Sequence, residues 1–477
     1  MSEIDLLFMP AVKAANLIRN RKLCCTEYVD SVLKAIDRVQ PKLNCFRVVT
    51  AEEARRDARR ADEMVARGEQ LGALHGVPVS IKDLVDVKEV PTRHGSAIFE
   101  DNPPAPADDV LVQRLRAAGA IIIGKTTTPE FGVKGLTDGP SFGITRNPWN
   151  LERTPGGSSG GGAAAVAAGL GPLALGTDGA GSIRGPASCS GLVGLKPTLG
   201  AVPADTARDA FGSNVYAGPL ARTITDAAIM HSVLVGPSTK DPWSLAGGGQ
   251  RPLSPTLASE DLSGIRIGYV ELTANSRLAA DVRANTREAL DVWRDMGADV
   301  DEVSETVDWI EYEGRVLYQA NFAVFCAQYV SQWQNRMDPV TLAFMERGGK
   351  FTLADFRNAQ YARSSLFRCV QGLFERYDFL VTPTNSRTAL DVTHDAANDE
   401  VVVDGVKCGI TRQGWTSYQY PFNLTGHPAL ALPSGFGSDG LPTSVQIVGH
   451  WGAETDVLRL GALLERARPW AQHRPPA

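Results

Sequence analysis

Cysteine is scarce in this chain of 477 residues: seven in all (Cys24, Cys25, Cys45, Cys189, Cys326, Cys369 and Cys408), an odd number with no CxxC spacing. That usage argues against a disulfide framework or a zinc ribbon and fits a reducing compartment. Long apolar runs are missing too. None approaches about 18 residues, which excludes an ordinary membrane span. The first residues hold acids and Pro10 rather than a basic segment leading into an apolar one, so no secretory signal is read and the expected location is cytoplasmic. The sequon Asn423-Leu424-Thr425 is then accidental. An excess of positive charge is also absent, with 48 Lys plus Arg against 54 Asp plus Glu and a net charge of −6. The one basic run, Arg55, Arg56, Arg59 and Arg60, is interleaved with Asp57 and Asp62 as on a solvated helix face. Neither nucleic acid nor an acidic membrane is an expected partner.

What the chain has in quantity is glycine around serine. From Thr154 to Thr198 it reads TPGGSSGGGAAAVAAGLGPLALGTDGAGSIRGPASCSGLVGLKPT, with Ser158 in GGSSGG and Ser182 in GAGSIR. Glycine loses the most conformational freedom on folding and serves where backbone must take positive φ or approach another group closely. Such density around two serines points to backbone amides aimed at a reacting oxygen. Gly160 to Ala168 reads as a helix and Pro172 to Gly176 as a buried strand, followed by a turn that delivers Ser182. A helix beginning just after Ser158 leaves unpaired amides there, which favour negative charge.

A serine needs a base. Histidine is the usual one, and none of the seven histidines lies in this stretch. Lysine is the alternative, provided burial lowers its pKa by disfavouring the charged form. In HGVPVSIKDL (His75 to Leu84), Val77, Val79 and Ile81 alternate with Ser80 and Lys82, a pattern that brings an amine to a buried strand end. A solvated lysine on an edge strand is the bland reading of the same residues.

These pieces, together with PFNLTGHPALALP (Pro421 to Pro433) and the GLPTSVQIVG after it, resemble the amidase signature family from about residue 10 to about residue 470. The resemblance implies a large central mixed, mostly parallel sheet covered by helices on both faces. It implies catalysis by Ser182 as nucleophile, Ser158 as a bridging serine that follows a cis peptide bond, and Lys82 as base. Asp178, Arg184 and Ser159 take supporting roles, and no metal or other cofactor is needed. The amides of Gly179, Ala180, Gly181 and Ser182 are the expected oxyanion hole, since consecutive turn amides form an anion-binding nest. The chain departs from the commonest family form with Ala180 where Gly is usual, Gly162 where Ser is frequent, and Gly185 before Pro186. Alanine at 180 would be strained if that position required positive φ.

Two short patterns compete. Gly119 to Thr126 satisfies the Walker A pattern, but Ala120 to Ile123 reads as a strand rather than an open phosphate loop. Gly156-Gly157-Ser158-Ser159-Gly160 fits the GxSxG elbow, which would make Ser158 the attacker with His427 or His450 downstream. Residues 147–155 do not read as the strand an elbow requires.

Elsewhere, helices are expected over 11–20, over 26–39 with Pro41 stopping it, from a Thr50/Glu53 capping box to Gly68, and over 109–118. The whole chain is read as one amidase domain: N-terminal helices over 1–70, a core over 71–235 and 379–470, and a helical insertion or cap over 236–378 that contributes to the substrate pocket. That insertion has a Pro/Ser/Gly-rich opening from Gly236 to Pro255, a strand over 265–270, a helix over 278–296, and a stripe of Tyr318, Phe322, Phe325, Tyr329 and Trp333 at helical spacing. Such stripes are usually core. Phe322, Trp415 and Tyr418, with Phe422, are nevertheless expected near the substrate.

The expected function is hydrolysis of a carboxylic amide or anilide to acid plus amine or ammonia through an acyl-enzyme. The partner is a small-molecule amide, and a homodimer is allowed. The alternatives are an amidotransferase component that frees ammonia from glutamine, a carbamate- or ester-cleaving relative, and a non-catalytic binding protein.

Overall fold

The alternation of side chains along the strands sorts the interior into two layers. In a computed structural model that describes residues 2–212, 214–246, 254 and 257–476, Val79, Ile81, Leu173, Leu175, Phe379, Val381, Leu430 and Leu432 point into one hydrophobic layer. Their neighbours Ala174, Leu220 and Ala431 point into a cluster on the other side. That is the period-two signature of a sheet buried on both faces.

The strands are β1 (Phe46–Val49), β2 (Pro78–Lys82), β3 (Ile121–Thr126), β4 (Leu173–Asp178), β5 (Val193–Lys196), β6 (Tyr216–Ala221), β7 (Arg266–Tyr269), β8 (Asp299–Glu302), β9 (Phe379–Pro383), β10 (Ala429–Phe436) and β11 (Pro442–Gly449). They form one mixed 11-stranded sheet in the order β1-β3-β2-β4-β6-β5-β10-β11-β9-β7-β8. Parallel pairs lie towards the two flanks, β3-β2-β4 on one and β9-β7-β8 on the other. The middle, from β4 through β6, β5, β10 and β11 to β9, is antiparallel, as is β1 on β3. The parallel character expected of the sheet is therefore a property of its flanks.

Helices Val110–Ala117, Ile224–Leu234, Ala280–Asp295 and Glu454–Ala467 contribute to the first layer. On the other face, Cys25–Leu43 and Ala51–Arg67 cover one flank, Gly160–Ala167 and Arg184–Ser190 the centre, and Glu311–Trp333 with Leu353–Phe374 the other flank. No helix among the described residues is long and apolar enough to cross a membrane.

Tertiary contacts override some of the local signals. Pro41 does not stop its helix but sits in the last turn, which runs on to Leu43. Thr50 precedes a helix as expected, yet its hydroxyl donates to the Ile122 carbonyl (3.1 Å) instead of capping. A tertiary acceptor displaced the capping box. At the far end Gly68 closes that helix with φ 70°. Gly124 and Lys125 of the Walker A pattern lie inside β3. Lys125 Nζ is fully buried against Asp83 Oδ1 (2.8 Å) and Thr92 Oγ1 (2.6 Å), so no phosphate loop exists there.

Segment 236–378 is not helical throughout. β7, β8 and helix Ala280–Asp295 extend the sheet, and only the part beyond Glu311 forms a purely helical layer. Its opening, Gly236 to Pro255, lies partly outside the described residues.

Candidate active site

Lys82 ends β2, between β3 and β4 in the interior of the sheet rather than at its edge. Parity with Ser80 turns it towards the face where helix Gly160–Ala167 packs, and its side chain is wholly buried. Burial lowers the amine from 10.5 to about 7, against a weaker opposing pull from the negative charge of Asp178. The Nζ lies 2.7 Å from Ser158 Oγ, 2.9 Å from Ser159 Oγ and 3.0 Å from Thr177 Oγ1, with the Thr177 carbonyl at 3.4 Å. Ser159 Oγ donates its own hydrogen to that carbonyl (3.1 Å), so it can only accept from Lys82.

Ser158 follows the cis Gly157-Ser158 bond. No strand precedes it, since residues 147–157 are turn, coil and isolated bridges. Its hydroxyl has Lys82 as its one hydrogen-bond partner among the described residues. His427, offered by the elbow pattern, instead bonds Thr425 and Gln371 and stacks on Phe374.

Ser182 sits half-buried on the turn after β4. Its carbonyl accepts from the Ser159 amide (3.2 Å), which ties the two serine loops together. The structure thus brings Lys82, Ser158, Ser159 and Thr177 into direct contact. Ser182 lines the adjoining cavity, and its hydroxyl has no hydrogen bond to Ser158.

The turn is held from beneath by Asp178. Its carboxylate accepts from the amides of Gly181 (2.6 Å) and Ile183 (3.1 Å), from Arg184 Nε and Nη2 (both 3.0 Å) and from Asn423 Nδ2 (2.8 Å). Burial alone would raise this carboxyl, but the charge and hydrogen bonds of Arg184, with the bond from Asn423, outweigh it and hold the group well below the usual carboxylate range. Arg184, itself fully buried, also donates to Gln446 Oε1 (2.7 Å), Asn423 Oδ1 (2.5 Å) and the Gln419 carbonyl (2.9 Å). Every arm of this network has a partner, the condition under which buried charge is tolerated.

Of the four expected oxyanion donors, Gly181 drops out because its amide is committed to Asp178. Among the described residues, the amides of Gly179, Ala180 and Ser182 have no protein acceptor, and Ala180 and Ser182 line the cavity. Alanine at 180 carries no strain, because the positive φ of this turn (115°) falls on Gly181. A Cβ at Gly181 would also collide with the Gln419 side chain. Gly181→Ala is therefore expected to cost about 3 kcal/mol or more from backbone strain and overpacking combined. A melting temperature equal to the parent's would contradict this account of the turn.

The cavity in front of Ser182 is lined by Gly157, Tyr318, Phe344, Arg412 and Gln419 among others. The aromatic residues expected there are elsewhere. Trp415 is buried in a separate apolar cluster with its indole N–H on the Arg387 carbonyl (3.1 Å). Tyr418, in the same cluster, has its hydroxyl on the Glu271 carbonyl (2.8 Å). Phe322 lies behind Tyr318, ring centres 4.9 Å apart, off the cavity wall. Phe422 packs near Trp309 in a third cluster. Each of these rings fills space between elements distant in sequence, and aromatic size alone does not tell core from wall. Of the stripe, Tyr318 alone reaches the cavity, while Phe325 and Tyr329 pack on Phe131.

Fold and site together define an enzyme of the hydrolase class. The chain belongs to the amidase family, whose match covers residues 27–458, and it is an amide-hydrolysing enzyme. An acylamidase from Rhodococcus erythropolis is 34% identical over 100% of this chain and 98% of its own length. A glutamyl-tRNA(Gln) amidotransferase component from Acidothermus cellulolyticus is 35% identical over 97% of this chain and 95% of its own. A solved bacterial aryl acylamidase of the amidase signature family superposes with a TM-score of 0.87 at 27% identity, covering 98% of this chain and 97% of that one.

Proposed function

We propose that the chain is a free-standing amidase acting on small-molecule amides or anilides, with Ser182 as nucleophile and Lys82 as base acting through Ser158. The observation that carries this reading is the polarity of the amine. A neutral lysine has two hydrogens and one lone pair. Ser159 can only accept, and Thr177 Oγ1 offers a second acceptor. The lone pair is then left for the Ser158 hydroxyl at 2.7 Å.

As Ser182 Oγ forms a bond to the carbonyl carbon, its proton passes to Ser158 Oγ and the Ser158 proton to Lys82 Nζ. This step requires the Ser182 hydroxyl to come within hydrogen-bond reach of Ser158. The amides of Ala180 and Ser182 receive the developing oxyanion. When the C–N bond breaks, the proton held by Lys82 returns through Ser158 to the leaving nitrogen. Water then repeats the attack on the acyl-enzyme and releases the acid. Asp178 and Arg184 position the turn, and Ser159 accepts from the Lys82 amine at 2.9 Å and so orients it. Arg315, Tyr318, Gln319 and Phe344 support a role for the helical layer beyond Glu311 as the wall of the substrate pocket. All seven cysteines are free, in keeping with a reducing compartment.

The purified chain, offered aliphatic amides, anilides and carbamates with no other protein present, is expected to release acid and amine in equal amounts. A requirement for a second protein, with glutamine as the ammonia source, would transfer the chain to the amidotransferase reading.

A further inference from the structure

Three cationic side chains line the cavity that holds Ser182, and two of them are already answered. Lys134 Nζ is shared between Asp138 Oδ2 (2.7 Å) and Asp338 Oδ2 (2.8 Å). Arg315 donates to Glu311 Oε2 at 3.3 Å, although its own Nε is buried without an acceptor. Arg412, on the short turn Thr411–Gly414, is different. Among the described residues its guanidinium has no hydrogen bond and no ion pair, and its Nε is buried without an acceptor. It lies over two ring faces, Tyr420 with its centre at 4.4 Å and Tyr318 at 5.6 Å, with Nη2 beside Gly314. Glu311 is near enough for its charge to act on Arg412, but it forms no ion pair there: its Oε2 is taken by Arg315 and by Gln413 Nε2 (3.1 Å), and its Oε1 is buried without a donor.

Arg412 is half-buried, and only its Nε is cut off from water without an acceptor, a costly position that the guanidinium does not escape by shedding its proton. Aromatic faces return part of that cost through the cation–π attraction. They do nothing for the N–H donors at the edge of the plane. Those donors form a rigid fork that matches a carboxylate with two parallel hydrogen bonds. The cavity that Arg412 shares with Ser182 also has an apolar lining of Val133, Tyr318, Phe344, Ala396 and Ile410.

We propose that Arg412 receives a carboxylate carried by the amide substrate, separated from the scissile bond by a short apolar spacer. The inference rests on Ser182 being the attacking residue. It makes the preferred substrates amides of dicarboxylic acids or amides of amino- or arylamine-carboxylic acids, rather than uncharged amides.

The test compares anilides that bear a carboxylate, either at the end of an acyl chain of increasing length or on the ring, with uncharged anilides of the same size. At the best spacer the parent enzyme is expected to favour the charged member at least about tenfold in kcat/KM, as for a hydrogen bond to a charged group. Arg412→Met should lower kcat/KM for that member about 10- to 100-fold, mainly through KM. Turnover of the uncharged anilide should fall by a clearly smaller factor, and a melting temperature within error of the parent's reports that the variant is folded. A second measurement needs no variant: the free dicarboxylate should inhibit the parent enzyme competitively, and the uncharged diamide of the same chain length more weakly. Equal loss on both substrates, no preference at any spacer, or a diamide that inhibits as well as the diacid would overturn the assignment. Failure to cleave any anilide, together with no labelling of Ser182 by a fluorophosphonate, would instead overturn the reading on which it rests.

Discussion

Ser182→Ala is expected to abolish acyl-enzyme formation, with kcat falling about 10⁵- to 10⁶-fold, as when a serine nucleophile is removed from a unit that acts together. The fold should be unaffected. The Ser182 hydroxyl makes no hydrogen bond to the described residues, and the turn is held by its backbone and by Asp178. Truncating the side chain leaves each of those contacts in place, so the melting temperature should match the parent's within error. Mass spectrometry after fluorophosphonate treatment checks the chemistry directly: one adduct in the parent, none in the variant. Normal turnover by Ser182→Ala, with labelling lost only in Ser158→Ala, would establish the elbow reading with Ser158 as attacker.

Lys82→Met should lower kcat/KM about 10²- to 10⁴-fold, the usual contribution of a positioned general base, because methionine fills the channel but accepts no proton. The pH profile separates this from a structural effect. Only the neutral amine can serve as base, and its pKa is lowered to about 7 by burial. Activity of the parent should therefore climb as pH rises through about 7 and level off above it, while the residual activity of the variant should lack that limb. A parent profile that is flat from two units below that pKa to two units above it would remove Lys82 from the base role.

The sequence disclosed the parts of the site that depend on local backbone. The strand carrying Lys82, the helix after Ser158 and the turn delivering Ser182 stand where their patterns put them, because alternation, alanine content and glycine positions act within a few residues of each other. What it concealed depends on chain segments that meet only in space. Thr177, Gln419, Asn423 and Gln446 all lie inside or beside recognisable motif blocks, yet their partners are up to 262 residues away. Asn423 drew notice only as a sequon, whereas it is buried between Asp178 and Arg184. Trp415 and Tyr418 point the same way: an aromatic residue packs the interior or faces the ligand according to neighbours the sequence does not juxtapose. The Walker A pattern misleads for the complementary reason, since a letter pattern carries no information on whether its amides are free.

Sealing the Lys82 amine away from water has a thermodynamic side. An unfolded chain would hold that proton up to about pH 10.4, whereas the native one releases it near 7. Assembly of the fold is thus coupled to the discharge of a proton between those limits, and native stability from this residue increases with alkalinity across them. At neutral pH the burden is on the order of 4 kcal/mol, a large part of the margin by which many globular proteins stay folded. The dense, fully satisfied lattice around Asp178 and Arg184 closes the end of the neighbouring strand, where it can offset a reactive centre that by itself favours denaturation.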